Sequence, residues 1–287
     1  MAEIPLNRFA PIPSFLKTRS RHWIGGAWQI LAFPLLFLII LPILAIFFRL
    51  SPADVLSSLQ QEQALDAIRL SATTSLVTVA ITLLFGTPVA YQLYRRRSRI
   101  SRFLDTIIDL PTVLPPAVAG VALLIAFGRQ GLIGQSLNAI GVSIPFTTVA
   151  VILAQTFIAA PLYIKSAALG FASVNCELKK AAALDGANRW QVFRYIMLPI
   201  SWASILSGSI LTWARALGEF GATIIFAGNL AGRTQTMPLA IYIGFEVDLN
   251  VALTLSAILI LFSFFVLITL KLFLYSRFDE IQNDEYD

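Results

Sequence analysis

Arg215 and Glu219 are the only ionisable residues in the otherwise apolar run from Leu198 to Phe226. Ionisable groups at membrane depth are costly unless they pair or face water. Four residues apart on a helix, the two side chains can reach each other. Two roles stay open: a mutual structural ion pair, or a path on which Arg215 offers a passing anion positive potential that Glu219 partly neutralises. Catalysis fits them less well. Glu219 has no second carboxylate at catalytic spacing, and Ser209 has no histidine partner, the sequence's one histidine being His22. One histidine and one cysteine, Cys176, leave no cluster with metal-ligand spacing and no intramolecular disulfide. Hydroxyls such as Thr73, Thr74, Thr78, Ser207, Ser209 and Thr212 can line a path or equally bond their own helix backbone.

The elements that position this pair follow from composition. Of 287 residues, 57% are hydrophobic and 13% charged, where an ordinary soluble domain has about 25% charged residues. A membrane-spanning helix needs about 20 largely apolar residues. Hydropathy predicts six such helices, at roughly 27–48, 70–93, 111–128, 146–168, 198–226 and 250–274, and therefore an all-α membrane protein. The apolar run from Trp28 to Phe48 is too long for a signal core and reads as a retained span. The third span opens with Pro111, Pro115 and Pro116, which predicts a tilted, broken or partly buried helix. Sixteen Lys and Arg residues flank one set of span ends and four (Arg49, Arg69, Arg129 and Arg233) the other. The richer side is expected to be cytoplasmic, with both termini on it. The chain then divides into a cytoplasmic segment 1–26, a membrane domain 27–275 and an acidic tail 276–287. The net charge of +5 reports topology rather than a nucleic-acid surface, and the arginines of 95–102 are expected to anchor lipid head groups. On the opposite side, Ser51, Pro52 and Asp54 carry a helix-start pattern that predicts a short surface helix over 52–66.

The segment 171–199 between the fourth and fifth spans is too patterned for a bare link. Asn175 or Ser173 can cap a helix through the strong helix formers up to Leu184, and Gly186 can end it in a left-handed turn. Asn188 can cap a second short helix on which Trp190, Phe193 and Met197, three and four apart, form one apolar face. That face is expected to lie exposed and to suit a groove on another protein. The spacing Ala181-Ala182, Gly186, Ile196, Leu198, Pro199 resembles the coupling loop of ATP-binding-cassette (ABC) importer permeases, and Asp185 precedes the glycine as it commonly does there. Lys180 stands where that family usually has a glutamate, so a charge contact through a glutamate is not carried over. No G-x-x-x-x-G-K-[ST] phosphate loop occurs in the sequence. A secondary transporter or channel would account for Arg215 and Glu219 but not for residues 180–199.

The run ARALGEFGATIIFAGNLAGRTQTMPLAIY (214–242) resembles molybdate permeases of that family, with Phe220-Gly221-Ala222 and Gly232-Arg233-Thr234-Gln235-Thr236 favouring molybdate over the related sulfate and thiosulfate permeases. Phe85 to Tyr91 and Leu110 to Pro116 agree, and the similarity covers about residues 65–275. The resemblance implies the type I importer permease fold and a homodimer. It also implies two ATP-hydrolysing subunits on the cytoplasmic side, which carry ATP and Mg, and an external oxyanion-binding protein. On this reading Lys180, Ala181, Ala182, Asp185, Gly186, Ile196, Leu198 and Pro199 couple the chain to the ATPase, and Arg215 and Glu219 belong to the translocation path. Sulfate, thiosulfate or tungstate is the alternative cargo.

Overall fold

The computed structural model describes the backbone of residues 20–95 and 98–283, with side chains except those of 20–29, 270 and 273–283. Residues 1–19 of the expected amino-terminal segment, Arg96, Arg97 and the last four residues of the acidic tail lie outside it. The chain divides into two compact units, Met1–Arg49 and Leu50–Asp287. The described residues of the first form one helix, α1 (Ser20–Arg49), which runs through Pro34 and Pro42 without a break. Phe33 and Phe37, one turn apart, stack with ring centroids 5.9 Å apart.

The second unit opens with α2 (Pro52–Leu59), capped by Ser51, whose Oγ accepts from the Asp54 backbone N–H at 3.1 Å. This helix is shorter than the predicted 52–66. The Gln60 N–H closes it on the Leu56 and Ser57 carbonyls, the Gln61 amide turns away to Asp248, and the remainder belongs to α3 (Glu62–Arg95). At about 1.5 Å per residue α3 is longer than a bilayer core. Its buried residues Ser71, Thr74, Ser75, Thr78, Thr82, Gly86 and Ala90 recur at spacings of one, three and four and form a stripe of small side chains.

The third span is a bent pair, α4 (Arg99–Val113) and α5 (Pro116–Phe127), turning through 116°. Pro111 was expected to open it but lies inside α4, and the chain breaks at Leu114–Pro115. The cause is the tandem Pro115-Pro116, which holds Leu114 extended (ψ 138°) and then starts a new helix. After the short α6 (Gly134–Ala139) comes α7 (Thr148–Ser173), capped by Thr147. Then α8 (Cys176–Leu184), α9 (Arg189–Val192), a π turn over Phe193–Met197 and α10 (Leu198–Ile200) lead through a 70° bend at Ser201 into α11 (Trp202–Leu217). The fifth span, expected unbroken over 198–226, is interrupted again at Gly218–Phe220 before α12 (Gly221–Phe226). Within the expected external loop lies α13 (Met237–Val247), an apolar helix too short for a hydropathy window. The last helix, α14 (Leu249–Asn283), continues into the expected tail. Asp248 caps it, and the hydrogen bonds it accepts from the Gln61 amide and from the Val251 and Asn250 N–H groups hold its carboxyl below the ordinary range.

Among the described residues, α1, α3, α7 and α14 are long and apolar enough to cross a membrane, and the two bent pairs bring the number of possible spans to six. Between membrane helices the hydrophobic drive is weak, so small residues and interhelical hydrogen bonds decide packing. A Cβ on Gly170 would sit 2.6 Å from Ser204 Cβ, and one on Gly208 2.7 Å from Ser166 Cβ, which brings α7 and α11 into backbone proximity. Ser166 Oγ completes the contact by donating to the Ser204 carbonyl at 2.7 Å. The two half-length helices α5 and α12 meet in the same way, through Gly120 against Ala222 and Ile225 and through Gly221 against Pro116. Gly221→Ala places its methyl carbon 2.6 Å from Pro116 Cβ and should cost about 1–3 kcal/mol, read as a lower midpoint of thermal unfolding in detergent. Gly218→Ala, whose Cβ meets nothing nearer than 3.7 Å, should leave that midpoint almost unchanged.

Candidate functional site

Asn175 starts α8 by accepting the Glu177 N–H on its side-chain oxygen at 2.8 Å. The helix ends as its sequence predicts. Gly186 adopts φ +87°, the Ala187 N–H bonds the Ala182 carbonyl at 2.9 Å, and the Gly186 N–H bonds the Ala183 carbonyl at 3.2 Å. This paired closure requires a left-handed residue at the glycine. Nothing lies within 4 Å of a Cβ built there, so the demand is on the backbone conformation alone. Two residues later Asn188 and Gln191 form a reciprocal capping box, with bonds of 2.9 and 2.7 Å, that starts α9.

The predicted coupling residues fall into two groups. Lys180, Ala181, Asp185, Gly186 and Pro199 are exposed, Ala182 is half-buried, and α8 has no buried residue. Ile196 and Leu198 instead pack against the cluster of Tyr163, Phe171 and Ile205. The expected exposed face of Trp190, Phe193 and Met197 is a correction. Met197 is only 2% exposed, and Phe193 stacks edge-on against Tyr91 at 5.1 Å and Phe171 at 5.7 Å. The π turn, closed by the Leu198 N–H on the Phe193 carbonyl, lies just where these side chains enter the bundle. Trp190 alone of the three stays outside, 67% exposed. The apolar surface offered outward is on α8, where Leu178 is exposed and Leu184 is 88% exposed.

Lys179 and Lys165 are two of the sixteen charges that set the expected topology, and both make contacts that the count does not reveal. Lys179 Nζ donates to Tyr94 Oη at 2.6 Å and to the Val174 carbonyl at 2.8 Å, tying α8 to the end of α3. Lys165 bridges Asp105 and Asp109 on α4 at 2.5 and 2.8 Å, joining α4 to α7. The i, i+4 carboxylates were a usable signal for that contact.

Arg215 and Glu219 are brought together, Nη1 to Oε2, at 2.8 Å. They do not share a continuous helix: Arg215 is in the last turn of α11, and Glu219 lies beyond the Gly218 cap. The second carboxylate oxygen, Oε1, accepts the Ala222 N–H at 2.9 Å and so anchors the first turn of α12. Glu219 is 1% exposed, whereas the Arg215 side chain is 37% exposed. Of the pair, only the Arg215 side chain reaches a surface. The hydroxyls divide as well. Thr73, Thr74 and Ser209 bond their own helix backbone, Thr212 donates to the Ala159 carbonyl, and Thr78 donates to the buried Gln155.

Residues 82–279 match the family model described as binding-protein-dependent transport system inner membrane component. The chain is 38% identical over 236 residues to the probable transport system permease protein NifC of Clostridium pasteurianum, covering 82% of each chain. It is 40% identical over 220 residues to the molybdenum transport system permease protein ModB of Mycobacterium tuberculosis, covering 77% of this chain and 83% of the relative. A probable sulfate transport system permease protein, cysT of Chlorokybus atmophyticus, is 30% identical over 266 residues, covering 91% of each. The fold is shared with a bacterial ABC transporter involved in the import of the acidic polysaccharide alginate, at a TM-score of 0.67 and 20% identity over 90% of this chain and 96% of that one. The helical architecture, the match across the spans and these relatives establish that this chain is a multi-pass protein of the cell membrane belonging to the binding-protein-dependent transport system inner membrane components.

Proposed function

We propose that this chain is the membrane-spanning subunit of an ABC importer that carries molybdate into the cytoplasm. The observation that carries the coupling role is α8 with its glycine closure: a rigid, wholly surface-lying helix whose successor is packed into the bundle. A movement imposed on α8 is passed through the Gly186 turn and the anchored Phe193, Met197, Ile196 and Leu198 to α11, with little slack in between. Lys180, Ala181, Ala182, Asp185 and Gly186 meet the ATPase, joined by the outward Leu178 and Leu184, while Ile196, Leu198 and Pro199 transmit. ATP and Mg are held by two copies of that partner. A second copy of this chain and an external binding protein complete the machine, and both termini lie in the cytoplasm, as the excess of Lys and Arg beside those span ends supports. Molybdate is favoured by the molybdenum transport relative at 40% identity over the sulfate-type relative at 30%. Sulfate is the second reading.

In proteoliposomes holding this chain, its ATPase and its binding protein, molybdate should accumulate only with ATP, and excess sulfate should compete weakly. Strong competition by sulfate would favour the second reading. Gly186→Val imposes a left-handed β-branched residue, roughly 1–2 kcal/mol of backbone strain, and should abolish uptake without loss of inserted protein. Gly186→Asn should keep most of it. Normal uptake by the valine variant would remove the coupling role.

For Arg215 we infer a path-facing cation held in place by Glu219. Arg215→Gln leaves the enclosed carboxylate without its counter-charge, at a cost of up to about 3 kcal/mol given the half-exposed partner. It should slow molybdate transport further than the loss of folded protein explains, and Arg215→Lys should recover part of the rate. A decrease accounted for wholly by lost protein would make the pair structural only.

A further inference from the structure

At the end of the bundle that carries the coupling segment, a groove of ≈ 490 Å³ runs between α3 and the α9 region. Leu84, Pro88 and Tyr91 form one wall and Trp190 and Phe193 the other, with Arg95 and Arg189 at its mouth. From Leu84 to Arg95 is eleven residues of helix, about 16 Å, close to half of a bilayer's roughly 30 Å hydrocarbon core. Neither arginine has a carboxylate within 4.0 Å among the described residues. Arg189 also opens a helix, an end where the backbone dipole disfavours a cation. Two uncompensated cations above an apolar trough one leaflet deep call for a ligand that is anionic at one end and long and apolar at the other.

We propose that this groove is a site for one anionic phospholipid, its phosphate between Arg95 and Arg189 and an acyl chain lying along Leu84, Pro88 and Tyr91 under Trp190. A water-soluble partner such as an ATPase cannot follow the groove to Leu84 within the apolar span. A second copy presenting the same patch would set cations against cations. Binding here would fix the register between α3 and the coupling segment at the membrane surface. The site rests on membrane residence and charge alone and does not depend on the transported anion.

The test uses the full chain in phosphatidylcholine vesicles containing a minor fraction of phosphatidylglycerol, with acyl-chain bromine on one lipid or the other at matched mole fraction. The Trp190 signal is the tryptophan fluorescence lost in Trp190→Phe. Brominated phosphatidylglycerol should quench it several-fold more effectively than brominated phosphatidylcholine. Arg95→Gln and Arg189→Gln should each reduce that preference by about fivefold, while quenching of the other tryptophans by brominated phosphatidylcholine stays unchanged. Equal quenching by both lipids would overturn the proposal in favour of unselective boundary lipid. No quenching by either would overturn it in favour of a protein cover supplied by a second copy of the chain.

Discussion

In hydrocarbon no water satisfies a broken hydrogen-bond ladder, so every interruption of a spanning helix must find its partners inside the protein. This chain interrupts its helices repeatedly, and at several of these places a side chain supplies the missing partner. Glu219 is the central instance. One carboxylate oxygen receives the Ala222 N–H in the first turn of α12, and the other holds Arg215. Further on, Thr234 Oγ1 accepts the Leu230 N–H, and the Leu230 carbonyl takes the N–H groups of Arg233, Thr234 and Gln235. Ser71 on α3 receives the Met237 N–H at the start of α13 with a bond of 2.7 Å. Three buried polar residues of this membrane protein, Ser71, Glu219 and Thr234, thus serve to hold interrupted backbone.

The short helices are held by close backbone contact as well as by apolar burial. Glycines 120, 208 and 221 bring backbones so close that a methyl group would collide. Packed interiors of this kind shift between discrete arrangements rather than deforming smoothly. The coupling segment is inserted into the same body: Met197 is buried beside Phe171 and Ile205, and Ser201 turns the chain into α11. α11 has sixteen residues, a length of about 24 Å, and at its far end stands Arg215. A single helix therefore joins the Ser201 bend, where the coupling segment ends, to Arg215.

What the sequence made legible was local. Gly186 and Asn188 could be assigned because a cap needs one residue type at one place, and Ser51 followed the same logic, whereas the choice of Asn175 over Ser173 is made by the structure. The Trp190, Phe193 and Met197 face was seen correctly as a face and wrongly as an exposed one, since spacing shows which residues lie together but not what covers them. The hydropathy windows located the spans but not their breaks at Ser201, two residues after Pro199, and at Gly218, where no proline marks the interruption. Prolines marked the third span, yet Pro111 sits inside α4 while the tandem pair at 115–116 makes the bend. Met237–Val247 escaped because eleven residues fall below the length that a spanning window rewards. Lys165 was visible as a charge, but its partners on α4 are about sixty positions away.

The coupling role depends most on what α8 touches. A single cysteine at Leu184, in a Cys176→Ser background and carrying a photoactivated thiol cross-linker, tests this in the assembled transporter. The ATPase subunit should be captured, with a yield that differs between the nucleotide-free and vanadate-trapped states, while a cysteine at the lipid-depth position Leu76 captures none. Absence of capture at Leu184, or equal capture at Leu76, would contradict the assignment of α8 as the surface through which ATP hydrolysis moves this chain.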